Sequence, residues 1–438
     1  MAGDLPRVLS ATSASELPQG WEVVQLRHVA DSYSGGTPPK SEAEYWRGPV
    51  PWLSPKDMKA THLSDTIDHI SAAAAARYSR VMPAKTIFVV IRGMILAKDL
   101  PVAMSTTPMA FNQDMKALCA NDRVISEYLL YAIIGQKAAM TKEIGTTAHG
   151  TKRIGSSSLD DLNLPLPPLP EQRAIVSLLS LLRTAIVLEE KRVAALRGLK
   201  AATMAKVFRE GLRGERTRET VLGELPESWK VSAMGDIVTR MNYGTSAHCG
   251  LEPIGAPVLR IPNVIGERID ETELKYAVLP NREADKLTLT PGDILFVRTN
   301  GNRNYTGRCA VYEGSPQNAL FASYLIRVRL QPGTLAPHFV KYFLSSTGRS
   351  QITSKANPAA DGKFNVDTGI LRGIILPTPS EAEQEEIVAL FSTIDGRLAK
   401  SQRRVSALRA LYRSTLEKLM IGALRVTPLL EHQPHAHA

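Results

Sequence analysis

The chain has 438 residues, 44% hydrophobic and 22% charged, which excludes a disordered segment and exceeds what one ordinary core needs. A formal net charge of +10 and a sequence pI near 9.4 suit a polyanionic partner, nucleic acid or an acidic membrane, a merely basic soluble protein being the alternative. Cys119, Cys249 and Cys309 are dispersed with no CxxC pair, which argues against a disulfide framework or structural zinc and fits a reducing compartment.

In chain order, residues 1–20 are mixed, with Asp4, Pro6 and Arg7 ahead of any apolar run, so a signal-peptide core is not expected. Leu17-Pro18-Gln19-Gly20-Trp21 opens a mixed region in which Ser71 and five alanines predict a capped helix. The β-branched run Thr86 to Ile91 predicts a buried strand. Leu164 to Pro170 is proline-rich and strand-like, a stiff joint that cannot continue as helix. Residues 170–212 then carry a seam at Ile175, Leu179, Leu182, Ile186, Glu189, Val193, Leu196, Lys200, Thr203 and Val207. Steps of four and three average 3.5, the period of a coiled coil, and the polar members weaken a pair while fixing its register. Arg209 to Thr220, charged and punctuated by glycine, reads as a hinge.

A second pass follows. Leu225-Pro226-Glu227-Ser228-Trp229 answers the first opening motif, Pro291-Gly292-Asp293 predicts a turn into the strand Ile294 to Val297, and Tyr324 to Leu330 alternates like a half-exposed strand. Leu376-Pro377-Thr378-Pro379 repeats Leu164 to Pro167, and a second seam runs through Ile387, Phe391, Ile394, Leu398, Ser401, Val405, Leu408, Tyr412, Thr415 and Leu419. From Leu164/Leu376 to Arg213/Arg425 the two copies align without a gap, and roughly twenty of about fifty paired positions are identical. Residues 22–163 and 230–375, by contrast, share little sequence.

The expected class is α+β: two pseudo-repeated globular domains joined and spaced by two long helices that pack on each other through their seams, each helix covering its own domain's core being the alternative. Their expected limits are 1–166 and 215–378 for the domains, 167–214 and 379–426 for the helices, and 427–438 for a disordered His- and Pro-rich tail. A helix of about 40 residues spans roughly 60 Å, against roughly 34 Å for a turn of DNA. No run of about 18 apolar residues predicts a membrane span.

Catalytic motifs fail one by one. Gly145 to Lys152 lacks the Gly-Lys-Ser/Thr ending of a phosphate loop, and Asn357-Pro358-Ala359-Ala360 lacks the second proline and the aromatic of an adenine methyltransferase. Asp270, Glu273 and Lys275 read as a solvated charge run, His62 and His69 lack a third ligand, and no Gly-x-Ser-x-Gly is present. Neither catalytic residues nor a metal site is expected.

Binding signals recur after strand-like segments. Arg298-Thr299-Asn300-Gly301-Asn302-Arg303-Asn304-Tyr305 combines the side chains that read guanine and adenine with ones that hold phosphate, a polar surface loop being the alternative. Similar loops carry Gly36, Thr37 and Lys40; Lys56 and Lys59; Arg92 and Lys98; Arg240, Asn242, Tyr243 and Thr245; and Arg260 and Asn263. Asn112, Gln113, His149, Lys152 and Lys363 complete the candidate DNA-binding set.

These residues resemble the specificity subunit of type I restriction–modification enzymes, from about Leu17 to Arg425. The resemblance rests on Ser34-Gly35-Gly36-Thr37-Pro38, Tyr45-Trp46, Pro51 to Lys59 and Phe111 to Lys116 in the first half. In the second it rests on Pro291 to Phe296 with Arg298, Gly307 to Tyr312 and Phe364-Asn365-Val366; the proline-rich segments ending in Glu171-Gln172 and Glu383-Gln384 are its most specific mark. It implies a non-catalytic cytoplasmic subunit whose two target-recognition domains read the halves of a split, asymmetric site in double-stranded DNA, with the two long helices paired as an antiparallel coiled coil that spaces them. It further implies two modification subunits that methylate adenine with S-adenosylmethionine, restriction subunits that use ATP and magnesium, and no membrane partner. Ser380-Glu381-Ala382 replaces the family's usual Pro-Leu, which predicts a looser second joint. A related methylation or phage-defence system, or a stand-alone DNA-binding protein, shares most of these signals. Insertions between Arg209 and Val221 are expected to change the gap between half-sites and leave the bases alone.

Overall fold

The computed structural model describes residues 17–146, 150–358 and 362–426; His149 and the His- and Pro-rich tail lie outside the described residues. The chain divides into two compact units, residues 1–189 with 404–438, and residues 190–403. Among the described residues no helix is long and apolar enough to cross a membrane.

In the first unit, Ala30–Ser34, Met115–Ala120, Ile87–Val90, Val102–Ser105 and His62–Leu63 hydrogen-bond in that order into one sheet. Asp68–Ile70, Val50–Leu53 and Ala110–Phe111 form a smaller one, beside the helix Ala72–Tyr78, whose cap Ser71 accepts from the Ala74 amide as expected. Every residue of Ile87–Val90 is buried, the pattern of a central strand covered on both faces.

The second unit repeats this order. Val238–Tyr243, Leu325–Leu330, Ile294–Val297 and Cys309–Val311 form the larger sheet, and Lys275–Ala277, Ala256–Leu259 and Leu320–Phe321 the smaller. Along Ile294–Val297 successive side chains serve different cores: Ile294 and Phe296 pack with Phe339, Phe343 and Phe391, while Leu295 and Val297 pack with Val258, Leu259 and Phe321. One expectation is overturned here. Leu325–Leu330 is buried almost throughout rather than half-exposed, because it lies between two sheet neighbours and its alternating Arg327 is wholly enclosed.

The seams behave as the spacing predicts. The long helices run Leu169–Glu210 and Glu381–Met420, and every seam position in both is buried or half-buried. Partner numbers run in opposite directions within each unit, so the helices pair antiparallel. In the first unit Glu171 meets Arg425 and Glu189 meets Arg404; in the second Lys200 meets Asp395 at 2.6 Å and the Phe208 ring lies 5.9 Å from that of Phe391. Glu189 and Lys200 thus find partners across the pair, contacts that fix register. The helix ends also serve the cores of the units: Ile175, Leu179, Leu419 and Met420 join the first, Met204, Val207, Ile387 and Phe391 the second.

The segment expected to be a hinge is pinned. The Leu212 amide donates to Glu383 at 2.8 Å, Arg213 forms a two-pronged pair with Glu386, and Thr217–Thr220 pairs with Gly223–Pro226 as a hairpin.

Candidate nucleic-acid interface

The two opening motifs and the two Glu-Gln pairs meet. Trp21 Nε1 donates to Glu171 at 2.9 Å, and Trp229 Nε1 donates to Glu383 at 3.0 Å. Each Gln closes the joint from its other side. Gln172 Oε1 accepts from the Ile125 amide at the start of helix Ser126–Gly135, while its Nε2 donates to the Arg123 and Pro167 carbonyls. Gln384 does the same with the Ala336 amide at the start of Pro337–Leu344 and with the Thr334 and Pro379 carbonyls. The Trp and Gln bonds of the second joint therefore match those of the first one for one, where a looser joint was expected. In the first unit Arg425 also clamps Glu171 with bonds of 2.7 and 3.0 Å. These residues fix each globular part on its helix.

Beyond the strand Ile87–Val90, and again beyond Ile294–Val297, the chain leaves the sheet beside a short hairpin. In the first unit Gly145–Thr146 pairs with Lys152–Arg153; in the second Asn357–Pro358 pairs with Phe364–Asn365. The turns use glycines at matching positions, Gly150 at φ +78° and Gly362 at φ +77°, where a side chain would be strained. The emerging strand crosses the hairpin in the same register both times: the Ile154 amide donates to Ile91 and the Val366 amide to Arg298, then Arg92 pairs with Arg153 as Thr299 pairs with Asn365.

In the second unit this place holds the Arg-Asn-Tyr loop. Asn302, Arg303, Asn304 and Tyr305 are exposed, and the loop is stiffened from within, since Asn300 Oδ1 accepts from the Asn302 amide and Asn302 Oδ1 from the Asn304 amide, both at 2.9 Å. Arg298 lies 4.6 Å from the Tyr243 ring centre, Arg303 5.6 Å from that of Phe364, and Arg308 4.6 Å from that of Tyr305. Lys363, exposed, sits in the same hairpin. The geometry brings Arg298, Asn300, Asn302, Arg303, Asn304 and Lys363 to one end of the sheet.

Other candidates have structural tasks. Asn242 Oδ1 accepts twice from Arg327, at 2.8 and 3.1 Å, and its Nδ2 donates to the Tyr243 carbonyl. Arg327 is fully buried and donates also to the Thr288 and Lys286 carbonyls; burial draws its guanidinium down to about 10, and Asp293 opposes this. Asn263 is buried, accepting from the Arg260 amide and donating to the Asp270 carbonyl; Arg260 itself reaches the Glu273 carbonyl. Thr245 is buried and bonds Glu283, and buried Asn112 bonds Asp114. Arg240 is half-buried. Gly36 is a close-approach position, where a Cβ would lie 1.9 Å from the Tyr78 carbonyl oxygen.

On the first unit, Lys40, Lys59, Arg92, Lys98 and Gln113 are exposed, Thr37 donates to Gln113, and Lys56 pairs with Asp68 at 2.6 Å. Lys152 donates to Thr146 at 2.7 Å across the hairpin. Sequence reasoning missed Arg153, Tyr324 and the buried Arg327. Arg153 was within reach, because the hairpin repeats at the same offset as the helices and places Arg153 opposite Asn365.

Residues 18–197 match the family described as type I restriction modification DNA specificity domain. The chain is 34% identical over 156 residues to the EcoR124I/EcoR124II specificity subunit of Escherichia coli, covering 35% of this chain and 39% of that one. It is 25% identical over 435 residues to the EcoKI specificity subunit of the same species, covering 94% of this chain and 87% of that one. The chain thus spans well under half of the first relative's length and most of the second's. The crystal structure of a type I restriction–modification S subunit from M. genitalium shares the fold, with a TM-score of 0.55 at 15% identity, covering 92% of this chain and 98% of that one.

Proposed function

We propose that the chain is the DNA-reading subunit of a type I restriction–modification complex, without catalysis of its own, on the match of residues 18–197 to the type I restriction modification DNA specificity domain and its similarity to the EcoKI specificity subunit. Each unit reads one half of a bipartite, asymmetric site in double-stranded DNA. The paired helices that run from one unit into the other set the unread gap. Two modification subunits then methylate adenine with S-adenosylmethionine, and restriction subunits supply ATP- and magnesium-dependent cleavage, all in the cytoplasm.

One observation carries the reading. The two units share a topology and a strand-end-plus-hairpin geometry, yet present different residues there, Arg92 and Arg153 in one and Thr299 and Asn365 in the other. Shared geometry with divergent contact residues is what two readers of different base sequences require. Exposed Lys and Arg hold phosphates, so affinity falls steeply with salt. The candidate contacts are those at the strand ends, Arg92, Lys98, Lys152, Arg298, Asn300, Asn302, Arg303, Asn304 and Lys363, with Lys40, Lys56 and Lys59 holding phosphates; Asn242, Asn263, Asn112 and Thr245 support them from behind.

The test is co-expression with its cognate modification subunit, followed by mapping of methylated adenines. Two unlike half-sites at fixed separation are expected. A contiguous site, or methylation by the purified chain alone, would overturn the proposal.

A further inference from the structure

The equivalent strand ends differ in a way that assigns a chemistry to the first half-site. Gly93, at φ +133°, donates its amide to the Lys152 carbonyl and thereby takes the place that Asn300 holds opposite Phe364 in the second unit. The next two residues, Met94 and Ile95, therefore stand where Gly301 and Asn302 stand in the Arg-Asn-Tyr loop. They begin the short 3-10 turn Met94–Ala97, whose Leu96 is buried and anchors it, and they are 64% and 41% exposed. Around them Arg92, Lys98 and Arg153 are exposed, and Lys152 is half-buried.

Met94 and Ile95 form a small exposed apolar patch on a strand end that also carries exposed cations, and those cations specify a polyanion. On a DNA base edge the apolar feature of the major groove is the thymine C5-methyl, which apolar side chains read by contact. We propose, resting on the DNA-reading function above, that Met94 and Ile95 are specificity-determining residues that pack on thymine methyl groups in the half-site read by the first unit. The cations hold the flanking phosphates. The second unit reads through Asn and Arg at the corresponding place, which makes the two half-sites chemically unlike.

The test uses the full chain co-purified with its modification subunits and a duplex carrying the mapped site. Each thymine of the site is replaced singly by deoxyuridine, which deletes one methyl and leaves pairing intact, and affinity is read by fluorescence anisotropy. At least one thymine in one half-site should weaken binding about fourfold, the factor that burying one methyl group implies. In the double variant Met94→Ser, Ile95→Ser that dependence should vanish, while melting temperature and affinity for random DNA at low salt stay unchanged. The proposal is overturned if no thymine matters, if the dependence persists in the double variant, or if that variant loses its modification subunits, which would make the patch a protein contact. Absence of any sequence-specific binding by the wild-type complex would instead overturn the DNA-reading function itself.

Discussion

Arg327 offers a sharp test of how the second unit holds its reading loop. Arg327→Met keeps much of the side-chain volume and removes four hydrogen bonds to three acceptors: Asn242 Oδ1 and the carbonyls of Thr288 and Lys286. At about 1 kcal/mol or a little more for each acceptor left unpaired, the expected loss is about 3–4 kcal/mol. Asp293 is not orphaned, because Arg329 binds it at 2.6 and 2.7 Å. Arg329→Met gives the matched control. It strips those two bonds from a carboxylate with no exposed surface, leaving the Thr290 amide at 2.9 Å and Arg327 at 3.9 Å, a loss of about 3–5 kcal/mol. The two variants should thus be similarly destabilised in urea, yet only the first cuts Asn242 loose. Since Asn242 holds the Tyr243 carbonyl and Arg298 lies over the Tyr243 ring, Arg327→Met should blur base discrimination in the second half-site and leave the first intact. Discrimination is measured at a temperature where both variants are folded. Equal blurring in both, or a stability change under about 1 kcal/mol for Arg327→Met, would refute the relay.

The joints and one histidine carry further predictions. Glu171→Gln should cost about 2–3 kcal/mol by urea denaturation, because a buried carboxylate holding Trp21 and Arg425 is lost, while half-exposed Arg425 recovers some hydration. Glu383→Gln, which disturbs only neutral donors, Trp229 and the Leu212 amide, should cost about 1–2 kcal/mol; the reverse ranking would contradict the assigned bonds. Burial, aided by Arg183 and opposed by Glu127, holds the His62 ring down to about 4 against its ordinary 6.5. The unfolded chain then takes up a proton between those values that the folded chain refuses. Stability should be full above pH 6.5 and fall as pH drops toward 4, by about 1–2 kcal/mol for a half-buried ring. His62→Asn should remove that slope in urea titrations at pH 7 and 5, and an unchanged slope would assign it elsewhere. Salt titration of DNA binding should lose slope in Lys40→Ala and Lys59→Ala without altered base preference, as phosphate contacts require; a changed methylation pattern would make them base readers.

The helices were legible because their constraint is periodic. A seam can be filled by few residue types, so Ile175, Leu179 and Val193 and their repeats announce it even through Glu189, Lys200 and Ser401. The Glu-Gln pairs were legible as a repeat, but not as a mechanism: that Glu171 receives the Trp21 indole joins residues 150 apart, which no local pattern encodes. The shared topology of the two globular parts was legible only from the repeated frame around them and not from their own residues. A strand buried on both faces accepts any set of apolar residues of similar volume, so Ile87–Val90 and Ile294–Val297 coincide in place with little need to coincide in sequence. Arg327 misled for the opposite reason, since a charged residue alternating with apolar ones normally marks a solvent face, and only the three-dimensional convergence of Asn242, Thr288 and Lys286 encloses it.

That contrast explains which residues can vary. A side chain that holds the frame answers to partners fixed by the fold: Gly36 to the Tyr78 carbonyl, Asn263 to the Arg260 amide and the Asp270 carbonyl, Gln384 to a helix start. Replacing one leaves a buried polar group unpaired or forces the backbone to move, at a cost that does not depend on the DNA. Met94, Ile95, Asn302 and Asn304 answer to nothing within the fold beyond the backbone turn they sit on, so their identity is free to follow an external ligand. Two copies of one frame can therefore keep every joint while exchanging an apolar strand end for an Arg-Asn-Tyr one. On this argument, grafting Gly301 and Asn302 onto positions 94 and 95 should leave the melting temperature of the chain nearly unchanged and move only the thymine dependence of the first half-site. A large loss of stability would mean that Met94 and Ile95 belong to the frame after all.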